Sequence, residues 1–285
     1  MSRLFLAVPA PAKLNLFLHI LGRRPDGYHD LQSAFVPIDL ADQLDFERRD
    51  DGHIERTGDV IGEAAADLAV RAALALQKAS GTRFGVTLNV EKKIPAGSGM
   101  GGGSSDAATT LIALNRLWEL RWPRQQLYPL ALALGADVPF FLGAGPAFVE
   151  GIGERLTTLA LMPRHYAVVY PQVPVSTREI FNDLGLTRTP KATIIAAFSA
   201  AHETDPDRLF GANDLEAAVK RRYPVVDDAF KHLERFGPAR MTGSGSAVFM
   251  PAKDPHQAAA AIQDLPAGWQ GWSVRSLAEH PLAAW

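Results

Sequence analysis

The sequence predicts an α+β protein of two domains, and three observations lead there. Strand-like and helix-like segments are mixed without a strict β-α alternation. A chain of 285 residues is long enough for two ordinary domains. The best break between them falls at Met162-Pro163, which divides the chain into 1–162 and 163–285.

The elements follow in order. Leu14, Leu16 and Leu18 alternate with Lys13, Asn15, Phe17 and His19, the period-two signature of a half-buried strand. Pro25-Asp26-Gly27 makes a turn, and residues 35–38 and 43–46 read as extended. Residues 64–79, rich in alanine and leucine, read as a helix. An apolar extended segment, 84–90, leads through a glycine-rich loop into a helical pattern over 104–117. A second helix over 124–134 ends at Gly135. Strands return at 147–149 and 167–170. Beyond them, helices at 213–220, 225–235 and 255–265 mix with strands at 240–242, 247–250 and 273–277.

Composition excludes several classes. The chain has no cysteine, which rules out disulfides, thiol catalysis and cysteine-ligated metal. A net charge of −2 gives no electrostatic reason to expect nucleic acid or an anionic membrane as partner. No apolar run approaches the roughly 18 to 20 residues of a transmembrane helix. Near the N-terminus, Leu4-Phe5-Leu6-Ala7-Val8 followed by Ala10-Pro11-Ala12 loosely imitates a signal peptide. Its apolar core is short and a second extended segment follows at once, so a cytoplasmic strand is expected.

The loop Pro95-Ala96-Gly97-Ser98-Gly99-Met100-Gly101-Gly102-Gly103-Ser104-Ser105 concentrates the chemistry. Its glycines permit φ > 0 and close backbone approach by a ligand. Backbone N–H groups at a helix N-terminus then form a site for an anion, above all a nucleotide's phosphates. Gly97, Gly99 and Gly102 fit G-x-G-x-x-G, but no strand ending in an acidic residue follows the helix, so the dinucleotide reading fails. The Walker A pattern fails because Gly103 occupies the lysine position. A phosphate loop built from amides and serines remains. The simpler alternative is a helix entry capped by Ser104, Ser105 or Asp106.

Other positions stay open on the residues alone. Lys13 and Asn15 share a strand face and suit either a cleft or a surface. Asp137, in Gly135-Ala136-Asp137-Val138-Pro139, suits either a helix cap or a general base against an apolar wall. Tyr28 and His29 project from a hairpin end, where they are structural or contact a base. Ser176-Thr177-Arg178-Glu179 fits a capping box, with Thr177 and Phe181 on one helix face. The run from Met241 through Thr242-Gly243-Ser244-Gly245-Ser246 to Ala247 is a second turn of small residues.

Together these segments resemble the GHMP kinase superfamily. Pro11-Ala12-Lys13-Leu14-Asn15 resembles its first motif, residues 95–105 its second, and residues 242–247 its third. Arg24-Pro25-Asp26-Gly27-Tyr28-His29 and Gly135-Ala136-Asp137-Val138-Pro139 bring the likeness closer to the 4-diphosphocytidyl-2-C-methyl-D-erythritol kinases. The resemblance implies an N-terminal domain like the second domain of ribosomal protein S5 and a ferredoxin-like C-terminal domain. It implies ATP-dependent phosphorylation of the 2-hydroxyl of a small substrate carrying a cytidine diphosphate moiety, with Mg²⁺ and no assigned metal ligands. The rivals are homoserine- or mevalonate-type kinases of the same superfamily and a non-catalytic nucleotide-binding protein.

By that resemblance Lys13 and Asp137 form the catalytic pair, and residues 95–105 hold the ATP phosphates. Lys92 and Asp67 lie near the adenosine. Tyr28 and Phe181 sandwich the cytosine, His29 bonds its edge, and Asn15 and Thr177 hold the erythritol and diphosphate part. Asp67 departs from the asparagine the family can carry, and Met100 from its usual leucine; the second change preserves volume.

Overall fold

Two long antiparallel strands frame the N-terminal half of the computed structural model, which describes residues 3–59, 66–183, 189, 192–193, 195–204 and 209–285. Strand β1 (Leu4–Arg23) pairs with β2 (His29–Arg49) along almost its whole length. The register shifts between Pro11 and Lys13 and again between Asn15 and Leu18. Such irregularities re-aim side chains, and here they bracket Lys13 and Asn15. The two extended runs at 35–38 and 43–46 are therefore one strand, β2.

The far edge of β2 carries β4 (Gly85–Glu91) and β5 (Ala147–Gly151), with β3 (Ile54–Gly58) outside β4 and β6 (Arg155–Thr158) outside β5. Strands β3 and β4 run parallel, joined through helix α1 (Leu68–Ser80). The helix expected from residue 64 starts at Leu68, because the Asp67 carboxylate accepts the Ala69 and Val70 N–H groups as its N-cap. Residues 64 and 65 lie outside the described residues.

Helices α2 (Gly102–Leu117), α3 (Arg124–Leu134) and α4 (Val138–Leu142) pack with α1 over one core. Phe46, Leu76, Leu88, Leu111, Leu114 and Phe141 are buried in it. Burying each of these side chains contributes roughly 1.5–3 kcal/mol.

The C-terminal half holds β7 (His165–Tyr170), α5 (Thr177–Phe181), α6 (Ile195–Thr204), α7 (Glu216–Arg222), α8 (Pro224–Glu234), β8 (Arg240–Met241), β9 (Val248–Ala252), α9 (Pro255–Gln263) and β10 (Gln270–Arg275). Its sheet is antiparallel in the order β10-β7-β9-β8, the ferredoxin-like arrangement. Among the described residues no helix is long and apolar enough to cross a membrane.

The two sheets meet on β1 and β2. Ile38 bridges to Ser276, and the Leu277 N–H donates to the Pro37 carbonyl at 2.8 Å. Leu14, Leu16 and Ile38 share a core with Tyr166, Val168 and Phe249, and Phe17 packs against Phe148, Phe198 and Phe210. This docking corrects the half-buried reading of β1. Lys13 and Asn15, on the polar face, are 2% and 1% exposed. The second half of the chain covers Leu14 and Leu16, while Phe35, Ser33, Asp137 and Thr242 close around Lys13 and Asn15 on the face that alternation assigns to water.

Candidate active site

A cavity of about 510 Å³ opens between the two halves. The residues of the glycine loop on its wall are 95–99 and 101–104. Gly97, Gly99 and Gly101 hold φ of +67°, +80° and +77°, the left-handed region that glycine enters freely. A Cβ at Gly99 would fall inside contact distance of the Thr242 carbonyl oxygen, so the second small-residue turn packs directly on the first.

Helix α2 begins two residues before the expected Ser104. Gly101 is its N-cap in the left-handed conformation, with no side-chain cap. The simpler alternative, a helix entry capped by Ser104, Ser105 or Asp106, is thus not formed. The uncapped first turn borders the cavity, and its N–H groups and dipole favour an anion there. Met100 and Ser105 are fully buried and stand behind the wall. The Met100 carbonyl accepts the Lys13 N–H at 2.9 Å, which ties β1 to the loop.

Lys13 Nζ stands 3.8 Å from Asp137 Oδ2, donates to Asn15 Oδ1, and lies 4.8 Å from the Phe35 ring centre. Burial pushes the Lys13 ammonium below its ordinary pKa, and the Asp137 carboxylate opposes that shift. Asp137 sits at the N-cap position of α4 but makes no side-chain cap bond, and its side chain is 35% exposed. It is free of the structural duty that the sequence left open. Pro139 lies in the first turn of the helix behind it, where Phe140 and Phe141 are buried in the core.

Asn15 is fixed on both sides. Its N–H donates to Thr242 Oγ1 at 3.0 Å and its Nδ2 to Ser33 Oγ at 3.0 Å. Thr177, the first residue of α5, exchanges a hydrogen bond of 2.7 Å with Ser244. Ser176 caps that helix by accepting the Glu179 N–H. Phe181 lines the cavity and packs at a tilt against His29, with ring centres 5.4 Å apart. His29 is buried and Tyr28 is 59% exposed, and neither is on the cavity wall.

At the other end of the cavity, Lys92 Nζ pairs with Asp42 and, at 2.6 Å, with Asp106 Oδ2. Burial would depress the Lys92 pKa, but the two carboxylates outweigh it and raise it. Burial likewise raises the Asp106 pKa, against the pull of Lys92. Asp67 lines the cavity as a helix cap already paired with Arg56 at 3.0 Å. Among the described residues, no three His, Cys, Asp or Glu side chains converge as a metal cage.

Sequence reasoning missed Arg56, Asp59 and Asp106 on the wall, and Asp42 and Asn213 behind it. Asp106 directly follows the loop serines and was within reach of inspection. Asn213 donates to the Met241 and Gly243 carbonyls at 2.8 and 2.9 Å, a clamp that no local pattern announces.

Comparison with known proteins adds the family. The GHMP kinases N terminal domain matches residues 67–145, and the GHMP kinases C terminal domain matches 197–271. A 4-diphosphocytidyl-2-C-methyl-D-erythritol kinase of Ralstonia nicotianae is 51% identical over 281 residues, covering 96% of this chain and 95% of its own. One from Burkholderia cenocepacia is 53% identical over 279 residues, with the same shares covered. A crystal structure of 4-(cytidine 5'-diphospho)-2C-methyl-D-erythritol kinase superposes with a TM-score of 0.82 at 34% identity, covering 96% of this chain and 98% of that one. This chain belongs to the GHMP kinase family, and within it to the 4-diphosphocytidyl-2-C-methyl-D-erythritol kinases.

Proposed function

We propose that this kinase transfers the γ-phosphoryl group of ATP to the 2-hydroxyl of 4-diphosphocytidyl-2-C-methyl-D-erythritol, a step in the non-mevalonate route to isoprenoid precursors. The observation that carries the reading is the Lys13–Asp137 pair, set in one cavity with an uncapped glycine loop. Asp137 accepts the proton of the 2-hydroxyl as its oxygen bonds to the γ-phosphorus. The bond from that phosphorus to the β–γ bridging oxygen breaks, and ADP leaves with the electron pair. Lys13, paired with Asp137, offsets the negative charge of the moving phosphoryl group.

Residues 95–104 hold the phosphates, through the backbone N–H groups that follow Pro95, and Lys92 and Asp67 face the adenosine. Ser105 supports the loop from behind. Phe181, with Tyr28 and His29 from the hairpin, takes the cytosine, while Asn15 and Thr177 take the diphosphate and erythritol part. Mg²⁺ bound with the triphosphate would neutralise phosphate charge beside the start of α2 in this reading, with its ligands unassigned. A cytoplasmic location, where ATP is supplied, belongs to the same reading.

The test is a coupled assay of ADP release. ADP release should require the cytidyl substrate, with homoserine and mevalonate inert as acceptors. Asp137→Asn should lower kcat by about a thousandfold, the scale of a lost general base. Turnover of the cytidyl substrate no faster than that variant's would reject the reading.

A further inference from the structure

Asp42 is fully buried in β2, outside the cavity wall, and nothing above gives it a part in the reaction. Its carboxylate gathers three donors. Oδ1 accepts the N–H groups of Lys93 at 2.6 Å and Ile94 at 2.8 Å. Oδ2 accepts from Lys92 Nζ. All three donors belong to the segment between β4 and the glycine loop, and Ile94 immediately precedes Pro95. A Cβ built on Gly102 would come within 3.3 Å of Asp42 Oδ2, so the same carboxylate also lies at the head of α2.

A carboxylate this deeply buried carries a desolvation cost that only close donors offset. Strand β4 alone does not need it, because β4 is already paired on both edges by β2 and β3. What Asp42 adds is a fixed direction for the chain as it leaves β4, together with a fixed seat for the Lys92 ammonium. Lys92 lines the cavity, and the Asp106 carboxylate of α2 also holds it, at 2.6 Å. The ammonium is thus shared between two carboxylates, one on β2 and one on α2.

We propose that Asp42 is a positioning residue for the donor nucleotide: it sets Lys92 and the entry to the glycine loop without touching the nucleotide. The proposal rests on the reading that Lys92 and this loop hold ATP. It predicts that loss of the Asp42 charge acts on the donor and spares the acceptor, because Lys13, Asn15, Thr177 and Phe181 reach the cavity from other elements.

The experiment is a steady-state comparison of Asp42→Asn, Lys92→Met and the double variant, with KM measured for each substrate and Tm measured alongside. In Asp42→Asn the amide oxygen still accepts the Lys93 and Ile94 N–H groups, while the NH₂ group faces Lys92 and displaces it. The KM for ATP should rise about tenfold, the cost of one misplaced charged contact, with the KM for the cytidyl substrate within about twofold. The double variant should be no worse than the poorer single variant, since both remove one arrangement. An unchanged KM for ATP, additive effects in the double variant, or equal rises in both KM values with a matching fall in Tm would each overturn the proposal. Wild-type saturation by ATP in the same assay separates these outcomes from failure of the donor-site reading itself.

Discussion

The turns at 95–103 and 242–246 are alike in composition and line the same cavity, but they are held in different ways. The second is occupied by its own protein. Asn213 takes the Met241 and Gly243 carbonyls, Thr242 Oγ1 accepts from and donates to Asn15, and Ser244 bonds Thr177. In the first turn, Gly101 opens α2 with no side-chain cap, and the following residues border the cavity. The two pack backbone to backbone. A Cβ on Gly243 would lie 2.7 Å from the Gly99 carbonyl oxygen and 3.2 Å from Lys13 Nζ. Small residues therefore leave the start of α2 open in one turn, and in the other they line the same cavity while supporting the first turn closely, with Lys13 between them.

Breaking the contact should have the largest effect. Gly99→Ala combines a positive φ with a backbone clash at Thr242. It should cost at least about 3 kcal/mol, read as a fall in Tm with loss of ATP binding. Asn213→Ala leaves two carbonyls of the supporting turn without their donor. A loss of about 3 kcal/mol in urea unfolding is expected, with activity falling although Asn213 is off the cavity wall. An unaffected kcat in that variant would show that the second turn does not support the first.

Lys13, at the meeting of the turns, sharpens the comparison through pH. Its pKa is depressed from 10.5 by burial, so the ammonium is complete on the acid side of that lowered value and is lost as pH rises through it. The alkaline limb of kcat should therefore begin below the ordinary lysine range and fall about tenfold per unit, or roughly 1.4 kcal/mol. A limb at or above 10.5 would contradict the buried site. Gly103→Ala should do least, since its Cβ meets only a Leu68 methyl at 3.6 Å in a helical position. Stability should rise by about 0.5 kcal/mol in a thermal melt. Any loss of ATP affinity in that variant then reports contact with the ligand and not with the second turn.

Legibility followed distance along the chain. The helix over 124–134 and its end at Gly135 match α3, and Ser176 caps α5 as its spacing predicts, because both depend on neighbouring residues. The start of α2 was misplaced, since serines and an aspartate just beyond the glycines are the stronger local cap formers. The glycine at 101 takes that role through a conformation that side-chain preference does not encode. Arg56, Asp42 and Asn213 carried no signal, because each acts on a partner brought to it by the sheets.

By itself the sequence determined what local backbone chemistry controls: the mixed elements, the low-bulk loop after a strand, and the residue types at each motif. The superfamily likeness followed from those motifs in their order. Only the tertiary structure decided that the polar face of β1 is buried at the cavity, that Lys13 meets Asp137, and that one glycine turn supports the other. The reason is physical. Local preferences act through a few neighbouring dihedrals and hydrogen bonds. The charge state of a buried lysine and the surroundings of an uncapped helix N-terminus depend on which distant surface excludes the water.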